Sequence, residues 1–316
     1  MNKFYKSPIH YMGGKFDLLP YLIEQFPKKE EVSIFYDVFG GGANVSMNVP
    51  YNRVIYNELN YNIVNLLKML RDNKPDVIYN HILKRIEQFD LNTIGTDYRS
   101  GIEKDKIDYY NKSYLKFRDF YNKSNPRNVM DLYTLTFYSF CNLMRFNNKN
   151  EFNMPYGNRC FLLEEDKNRI EEAHKLLQKI EINLGDAFEL LKRITKNENQ
   201  FIYIDPPYIN STAIYNENRA ENKGWTLEDD ERLFAELDRL TSLGIKWAYS
   251  NVLEIRGKSN NHIEEWANKN GYTIIDFEDK VYSSLGKGNA NAREVLIINY
   301  EQRVKKYSIF DFGIEM

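Results

Sequence analysis

The sequence predicts an α/β protein with a doubly wound, mostly parallel sheet, an antiparallel C-terminal hairpin and a helical domain inserted into the sheet domain. Short apolar, β-branched runs alternate with helical patterns, which is typical of parallel strands joined by crossover helices. Two runs near the end follow each other without a helical pattern between them, which indicates an antiparallel pair. The middle of the chain has helical periodicity and no strand pattern, which indicates the insertion.

The strand pattern consists of β-branched and aromatic residues bounded by turn residues. It occurs at residues 32–39, 53–56, 180–184, 201–204, 246–249, 272–280 and 294–300. Helical patterns occur between most of these runs, for example at residues 16–26, 165–177 and 227–243. The last helical pattern follows Thr226, with Asp229 three residues later. This spacing predicts a capping box at the start of that helix.

The predicted inserted domain covers residues 62–158, and residues 1–61 and 159–316 form the predicted sheet domain. Within the insertion, aromatic and aliphatic residues recur at intervals of three and four, which places them on one face of a helix. These residues are Ile107, Tyr110, Tyr114, Phe117 and Tyr121. Such a stripe is more often core than binding surface, so we expect it to be buried.

Length and composition limit the class of protein. The chain has 316 residues and a mass of 37.6 kDa, which allows two domains or one large domain with an insertion. Hydrophobic residues make up 42% of the chain, yet no apolar run approaches the roughly 20 residues of a membrane-spanning helix. The first residues contain no apolar segment, so we expect no secretory signal.

Cysteine and histidine usage argues against a disulfide framework and against a zinc site. The two cysteines, Cys141 and Cys160, do not have metal-ligand spacing. The four histidines are scattered and form no zinc-binding motif. We therefore expect a cytoplasmic, reducing setting and no bound metal.

The net charge of −2 argues against a protein that holds nucleic acid by bulk positive charge. The charge is unevenly distributed, however. Residues 62–158 contain 15 Lys and Arg against 11 Asp and Glu, a net charge of +4, so the rest of the chain is acidic. A basic module that meets a polyanion and a solvated helical surface are both consistent with this pattern.

The strongest motif is Asp205-Pro206-Pro207-Tyr208, directly after the apolar run 201–204. Ligands of open parallel sheets bind at the carboxyl ends of strands, which is where this tetrapeptide is expected. The prolines fix φ and remove two N–H donors, leaving the Asp205 carboxylate and the Pro206 carbonyl as neighbouring acceptors. Such a pair is suited to an amino group, and Tyr208 is suited to stack on the attached ring. A strand-ending turn that binds nothing is the alternative interpretation.

The second motif is DVFGGGA, residues 37–43, which follows another predicted strand. Glycines there allow a ligand to approach the backbone closely. The nicotinamide fingerprint fails because it requires glycine where Val45 stands, and the Walker A pattern fails because no GK[ST] follows. Glu58, at the end of the next strand, is suited to bind ribose hydroxyls. Together they indicate an adenosine-type ligand, although glycine-rich turns without a ligand are common.

Two weaker motifs are YMGGK at residues 11–15 and GDAF at residues 185–188. Asp186 is suited to accept a hydrogen bond from an adenine amino group with Phe188 packed nearby, or to cap a helix that begins at Ala187. Lys15 is suited to pair with a ligand carboxylate, or it is a solvated surface lysine.

YMGGK, FGGGA and DPPY, in this order and with a helical insertion before DPPY, resemble the motifs of the Dam-type DNA adenine-N6 methyltransferases. The resemblance covers nearly the whole chain. It includes residues 145–147 and 151–157, which are similar to the segment that closes the target-recognition domain of that family. Ser250-Asn251 and the closing strand EVLIINY also match. Each motif alone is modest, but their joint order is specific.

The resemblance implies a Rossmann-like methyltransferase sheet that binds S-adenosylmethionine. The residues implied at the cofactor site are Tyr11, Gly13, Lys15, Asp37, Phe39, Gly40, Gly41, Gly42, Glu58, Asp186 and Phe188. The residues implied to hold the target adenine are Asp205, Pro206, Pro207 and Tyr208. The residues implied to face DNA are His10, Arg145, Asn147, Lys149, Asn153, Pro155 and Tyr156.

The chain departs from the family pattern at three places. Ala43 stands where the family usually has glycine, which is expected to lower cofactor affinity. Cys141-Asn142 stands where Asn-Gly is usual, and His10 stands where a base-contacting lysine is frequent. The last two departures concern the recognised sequence more than the reaction.

The resemblance implies methyl transfer from S-adenosylmethionine to N6 of an adenine that is flipped out of double-stranded DNA, with GATC as the expected site. Residues 209–225 are expected to form a lid that orders over DNA. A monomer is expected, because the two strands of a palindrome can be modified one at a time. An RNA adenine methyltransferase and a non-catalytic DNA-binding relative are the alternatives. The biological role, including restriction-modification, stays open.

Overall fold

The computed structural model describes residues 3–93, 104–196, 199–209, 224–255, 258–277 and 292–302. Its central feature is an eight-stranded sheet with the order β3-β2-β1-β4-β5-β8-β7, in which β6 pairs with β5 outside this path. The strands are β1 Ile34–Asp37, β2 Val54–Glu58, β3 Ile180–Leu184, β4 Gln200–Ile204, β5 Lys246–Ile255, β6 Lys258–Ser259, β7 Thr273–Asp276 and β8 Ala292–Ile298.

The strand directions confirm the predicted sheet. β1 pairs in parallel with β2 on one side and with β4 on the other, and β3 and β5 extend the parallel part outward. β8 is antiparallel to both β5 and β7, as predicted for the C-terminal hairpin. The chain therefore leaves β1 in one direction and returns to its other side at β4. This reversal creates a crevice at the carboxyl ends of β1 and β4, the usual ligand position in such sheets.

Some predicted strand bounds differ from the observed ones for local reasons. β1 ends at Asp37, two residues before the predicted end, because the backbone turns there into the glycine segment. β5 continues to Ile255 rather than ending at Tyr249, because its pairing with β8 extends well beyond its pairing with β4. The end of the predicted strand 272–280 lies outside the described residues.

The helices in the described residues are α1 Leu19–Gln25, α2 Asn44–Asn48, α3 Tyr61–Asp72, α4 Pro75–Phe89, α5 Lys104–Lys123, α6 Val129–Tyr138, α7 Leu163–Leu177, α8 Ala187–Arg193, α9 Leu227–Ser242 and α10 Asn261–Lys269. The predicted helix 16–26 divides into a 3-10 turn at Phe16–Leu18 and α1, whose first turn contains Pro20, a position at which proline is tolerated. The capping box of Thr226 and Asp229 at the start of α9 is confirmed.

The sheet has a hydrophobic core on each face. Side chains alternate along β4, so that Phe201 and Tyr203 pack in a cluster with residues of α1 to α7, whereas Ile202 and Ile204 pack with residues of α8 to α10. Because both faces of the sheet are covered, β4 is apolar on both faces from Phe201 to Ile204.

The chain between β2 and β3 is helical in its described part, as predicted, and contains α3 to α7. In the predicted stripe of α5, Tyr114, Phe117 and Tyr121 are buried, which confirms the interpretation as core for these three, whereas Ile107 and Tyr110 are half-buried. Asp131 of α6 joins two helices, since it accepts hydrogen bonds from His81 Nε2 and Arg85 Nε of α4, both at 2.6 Å. Burial opposes ionisation of Asp131, but these hydrogen bonds outweigh it and lower the pKa of the carboxyl group.

Among the described residues, no helix has both the length and the apolar character needed to cross a bilayer. The same part of the chain contains no group of three or more His, Cys, Asp or Glu side chains arranged to hold a metal ion.

Candidate active site

The crevice at the carboxyl ends of β1 and β4 opens into a cavity whose empty space, including the open solvent at its mouth, is about 1070 Å³. Every residue that the sequence assigns to the cofactor or to catalysis lines it. These are Tyr11, Gly13, Lys15, Asp37, Phe39, Gly40, Gly41, Gly42, Glu58, Asp186, Phe188, Asp205, Pro206, Pro207 and Tyr208. The four sequence motifs, which are far apart in the chain, therefore meet in one place.

The glycine turn after β1 is pressed between two aromatic rings. A Cβ on Gly40 would lie 2.1 Å from the Tyr56 ring, and one on Gly41 would lie 2.9 Å from the Tyr11 ring. Gly41 also has a φ of 48°. The Tyr56 hydroxyl donates to the Gly41 carbonyl at 2.6 Å, which fixes the turn against β2. A side chain at either glycine would collide with these rings, so the backbone itself forms the cavity wall.

Glu58 is tied to the same turn. Its Oε2 accepts a hydrogen bond from the Gly41 N–H at 2.9 Å, and its Oε1 accepts one from the Asn60 N–H at 2.8 Å. Burial raises the pKa of the Glu58 carboxyl group, and the backbone hydrogen bonds counteract this rise. The side chain thus holds the turn in shape, and its assignment to ribose hydroxyls stays a prediction.

Asp186 caps α8, one of the two roles expected from the sequence. Its Oδ1 accepts hydrogen bonds from the Phe188 N–H at 2.9 Å and the Glu189 N–H at 3.1 Å. The cap is confirmed, and the role as acceptor for an adenine amino group stays a prediction. Asn57 was not expected in the site, yet its Nδ2 donates to the carbonyls of Val38 and Gly185, both at 3.1 Å. It thereby links the turns after β1 and β3.

An aromatic wall, formed by Phe39, Phe188 and Trp225, lines one side of the cavity. The Trp225 ring is parallel to the Phe188 ring, with centroids 6.0 Å apart, and meets the Phe39 ring edge-on at 5.6 Å. Trp225 Nε1 donates to Asp230 at 2.7 Å, which fixes the orientation of the indole. Trp225 was missed as a site residue because its only sequence signal is its position before the α9 cap. An apolar wall beside polar acceptors is suited to a purine ring.

Asp205 lies at the end of β4 and is enclosed by two donors. Lys15 Nζ lies 2.9 Å from its Oδ2, and the Tyr208 hydroxyl donates to its Oδ1 at 2.7 Å. The side chain of Asp205 is 16% exposed and that of Lys15 is 3% exposed. Burial raises the pKa of Asp205, whereas Lys15 and Tyr208 favour its ionised form. Lys15 is thus a buried partner of Asp205 rather than a surface lysine, and its pairing with a ligand carboxylate stays a prediction.

Asp37 lies at the end of β1 and is 1% exposed. It accepts a hydrogen bond from Ser46 Oγ at 2.6 Å. The pKa of Asp37 is raised to about 7, mainly by burial and in smaller part by the nearby Asp205 and Glu58, against the lowering effect of the Ser46 hydrogen bond. The acids of the cavity therefore repel one another, which favours a ligand that brings positive charge.

Ala43, the first departure from the family pattern, has a φ of 63° and is fully buried. This conformation disfavours side chains, which explains why glycine suits the position. We expect Ala43→Gly to change the free energy of unfolding by less than about 1 kcal/mol, because relief of the left-handed strain is offset by lost chain entropy and a lost buried methyl group.

The informative contrast is Ala43→Val, which we expect to destabilise the protein by roughly 2–3 kcal/mol, because a β-branched side chain fits neither the conformation nor the space. Urea unfolding of the two variants measures both effects. A valine variant as stable as the alanine protein would contradict the observed backbone conformation.

The predicted DNA-facing residues other than His10 lie in a separate, partly exposed segment, residues 145–156. Arg145 and Asn153 face each other across a short antiparallel loop closed by the bridge between Phe146 and Phe152. Arg145 Nε donates to Asn153 Oδ1 at 2.9 Å, and its Nη2 donates to the Asn153 carbonyl at 3.1 Å. Asn147 holds the loop internally, since its Oδ1 accepts the backbone N–H groups of Lys149 and Glu151. Their contacts with DNA stay predictions.

The other predicted DNA-facing residues differ in exposure. His10, Lys149 and Pro155 are exposed, whereas Tyr156 is half-buried and its hydroxyl donates to Asn92 Oδ1 at 3.1 Å. Tyr156 therefore has a structural contact in addition to any contact with DNA.

The backbone also explains the second departure from the family pattern, Cys141-Asn142 in place of Asn-Gly. Cys141 and Asn142 both have a φ of 55°. Asn and Gly tolerate this conformation better than other residues, which accounts for the usual Asn-Gly of the family at this place.

The parallel sheet with its antiparallel last strand, and the site at the reversal of strand order, define the α/β methyltransferase fold. The chain belongs to the family of D12 class N6 adenine-specific DNA methyltransferases, since the sequence model of that family matches residues 11–282.

Among curated proteins, the chain is 33% identical over 307 residues to the modification methylase StsI of Streptococcus sanguinis and 32% identical over 307 residues to the type II methyltransferase M.FokI of Planomicrobium okeanokoites. These alignments cover 95% and 96% of this chain but 44% of each relative, so the chain spans less than half of their length. It is also 30% identical to a DNA adenine methylase of Haemophilus influenzae over 205 residues, which is 63% of each chain.

Proposed function

We propose that this chain transfers a methyl group from S-adenosylmethionine to N6 of an adenine that is flipped out of double-stranded DNA. The observation that carries this proposal is the position of Asp205 and Pro206. Their acceptor oxygens lie at the end of β4, in the same cavity as the glycine turn and the aromatic wall. A site for an amino group thus adjoins a site suited to an adenosine-type ligand.

The residues present fit the proposed cofactor. At Gly40 and Gly41 the backbone itself lines the cavity, where a Cβ would be in the way. Glu58 at the end of β2 and Asp186 just after β3 supply carboxylates, and Trp225 supplies an apolar wall. The acidic lining matches a positively charged sulfonium and an amino-acid amine. When bound, the cofactor supplies an activated methyl group.

The chain's own residues prepare the amine. The exocyclic nitrogen of adenine is a poor nucleophile because its lone pair is delocalised into the ring. Hydrogen bonds accepted by the Asp205 carboxylate and the Pro206 carbonyl orient the amino group and favour a pyramidal nitrogen. Tyr208 stacks on the extruded base, which offsets the few kcal/mol that extrusion costs. The Tyr208 hydroxyl donates to Asp205 at 2.7 Å, which holds the tyrosine ring beside the carboxylate.

We also propose that residues 1–61 and 159–316 together bind the cofactor and perform the reaction, and that residues 62–158 recognise DNA. The protein is proposed to act as a monomer. α3 packs against β2, β3 and α7, so the recognition part continues directly from the sheet. A lid formed by residues 209–225 stays part of this proposal, although most of it lies outside the described residues. The proposed substrate places the protein in the cytoplasm, with its DNA.

The test is incorporation of labelled methyl groups from S-adenosylmethionine into plasmid DNA, followed by sequencing of methylated adenines. We expect N6-methyladenine at one short sequence, with GATC as the proposed site. Label that enters only folded RNA would favour an RNA methyltransferase. Absence of both label and cofactor binding would favour a non-catalytic relative. Unchanged cutting by nucleases that distinguish methylated GATC would reject the site but not the activity.

Arg145 is proposed to read a base edge, because Asn153 orients its guanidinium while Nη1 makes no hydrogen bond within the described residues. We expect Arg145→Ala to weaken specific binding by about 1–3 kcal/mol and to relax the sequence preference at one position. Lys149→Ala, which removes an exposed cation of the same loop, serves as the comparison and should weaken binding to all DNA sequences equally.

Binding of duplexes with single substitutions in the methylated site, measured at fixed salt, tests the role of Arg145. Equal losses for both variants on every sequence would show that Arg145 contacts only the backbone of DNA.

A further inference from the structure

Glu294 of β8 is a buried carboxylate beside the proposed target site, and the sequence assigned it no role. It lies opposite Val252 of β5 and is 5% exposed. Its Oε1 lies 3.4 Å from Lys15 Nζ. That oxygen has no hydrogen-bond partner, although it is buried. A buried carboxylate oxygen that lies beside an ammonium group without a well-formed hydrogen bond is unusual, so its presence at this place needs an explanation.

Lys15 lies between two carboxylates. Its Nζ lies 2.9 Å from Asp205 Oδ2 and donates to the Gly13 carbonyl at 3.1 Å, whereas Glu294 is farther away at 3.4 Å. The other oxygen of Asp205 accepts the Tyr208 hydroxyl. Both oxygens of Asp205 therefore already receive a donor in this state. An amino group that binds to Asp205 must compete with Lys15 or Tyr208.

We propose that Glu294 is a positioning residue that takes over the Lys15 ammonium group when the amino group of the target base binds to Asp205. This inference rests on the proposed function. A shift of Lys15 by about half an ångström would convert its 3.4 Å contact with Glu294 into a hydrogen bond. The shift satisfies the buried Oε1 and weakens the hold of Lys15 on Asp205, while the positive charge stays in the site.

The electrostatics of the pair support this transfer. The pKa of Glu294 is raised to about 7, mainly by burial and in smaller part by Asp205, against the lowering effect of Lys15. Closer contact with Lys15 favours the ionised form of Glu294. A purine amino group is neutral, so after it binds, Lys15 is still the cation shared by Asp205 and Glu294. Of these two carboxylates, Glu294 has the oxygen without a hydrogen bond, Oε1.

The test compares two duplexes that differ only at the target base, which is adenine in one and unsubstituted purine, without the amino group, in the other. Their affinities are measured with adenosylhomocysteine present. We expect the wild-type protein to prefer adenine by about tenfold, the worth of one hydrogen bond to a charged group. Glu294→Gln should reduce this preference to about twofold or less, with unchanged affinity for adenosylhomocysteine. Glu254→Gln, an exposed position of β5, is the matched control and should change nothing.

A purely structural role of Glu294 predicts a different pattern, in which Glu294→Gln weakens both duplexes equally. The second variant is Lys15→Met. In its background there is no ammonium group to relocate, so Glu294→Gln should no longer change the adenine preference. The inference is overturned if Glu294→Gln retains the wild-type preference, or if its effect persists without Lys15. Failure of the proposed function would be separate, since the wild-type protein itself would then show no adenine preference and no methylation.

Discussion

Replacement of Asp205 by alanine is expected to reduce methyl transfer by at least about 10²–10³-fold, the range found when one oriented hydrogen-bonding group is removed from a reaction site. The physical reason is that Asp205 supplies the only carboxylate of the tetrapeptide and is placed beside the Pro206 carbonyl at the end of β4. Positioning of reacting groups supplies much of the rate in such transfers, and the Pro206 carbonyl alone holds only one hydrogen of the amine. Cofactor binding should survive, because Glu58 and the aromatic wall remain.

Labelled methyl transfer and calorimetric titration with S-adenosylmethionine measure the two quantities separately. Asp205→Asn, which preserves the side-chain volume, should also be strongly impaired and shows whether the loss is chemical rather than a packing defect. Asp76→Ala removes a carboxylate that is 79% exposed on α4 and should leave the rate unchanged. Methylation by Asp205→Ala at the wild-type rate would refute the assignment of this residue.

Replacement of Glu58 by alanine is expected to have the second large effect, on cofactor binding. The change leaves the N–H groups of Gly41 and Asn60 without their buried acceptor, at a cost of about 1–3 kcal/mol for each unsatisfied group. The glycine turn should lose its shape, so we expect the dissociation constant for S-adenosylmethionine to rise by about 10²-fold or more, from the same magnitudes.

Titration calorimetry and thermal unfolding check this expectation. Glu58→Gln keeps one acceptor oxygen and should be intermediate in both measurements. If Glu58→Ala bound the cofactor as tightly as the wild-type protein, Glu58 would not organise the site, and its assignment to the cofactor site would be wrong.

The convergence of the site could be predicted because it follows from sheet geometry. Asp37, Glu58, Asp186 and Asp205 each lie at or just after the carboxyl end of a parallel strand, and these ends meet at one edge of the sheet. The buried helix stripe and the capping box of α9 were predictable for a similar reason, since both depend on short, regular spacing.

The contacts that complete the site could not be predicted, because they join residues without a shared local pattern. Lys15 pairs with Asp205 and Glu294, which come from strands on the far side of the insertion. Trp225 enters the cavity only because α9 packs against α8. The extended end of β5 likewise depends on β8, a strand that follows much later in the chain.

The proposed function requires that the amino group of an extruded adenine bind to Asp205 with the methyl donor opposite. The most direct measurement is a crystal structure of the protein with adenosylhomocysteine and a duplex containing the methylated sequence. We expect the adenine N6 within hydrogen-bonding distance of Asp205 and the Pro206 carbonyl, and the sulfur on the side of the glycine turn. Adenosylhomocysteine bound far from Asp205, or an adenine that remains stacked in the duplex, would contradict it.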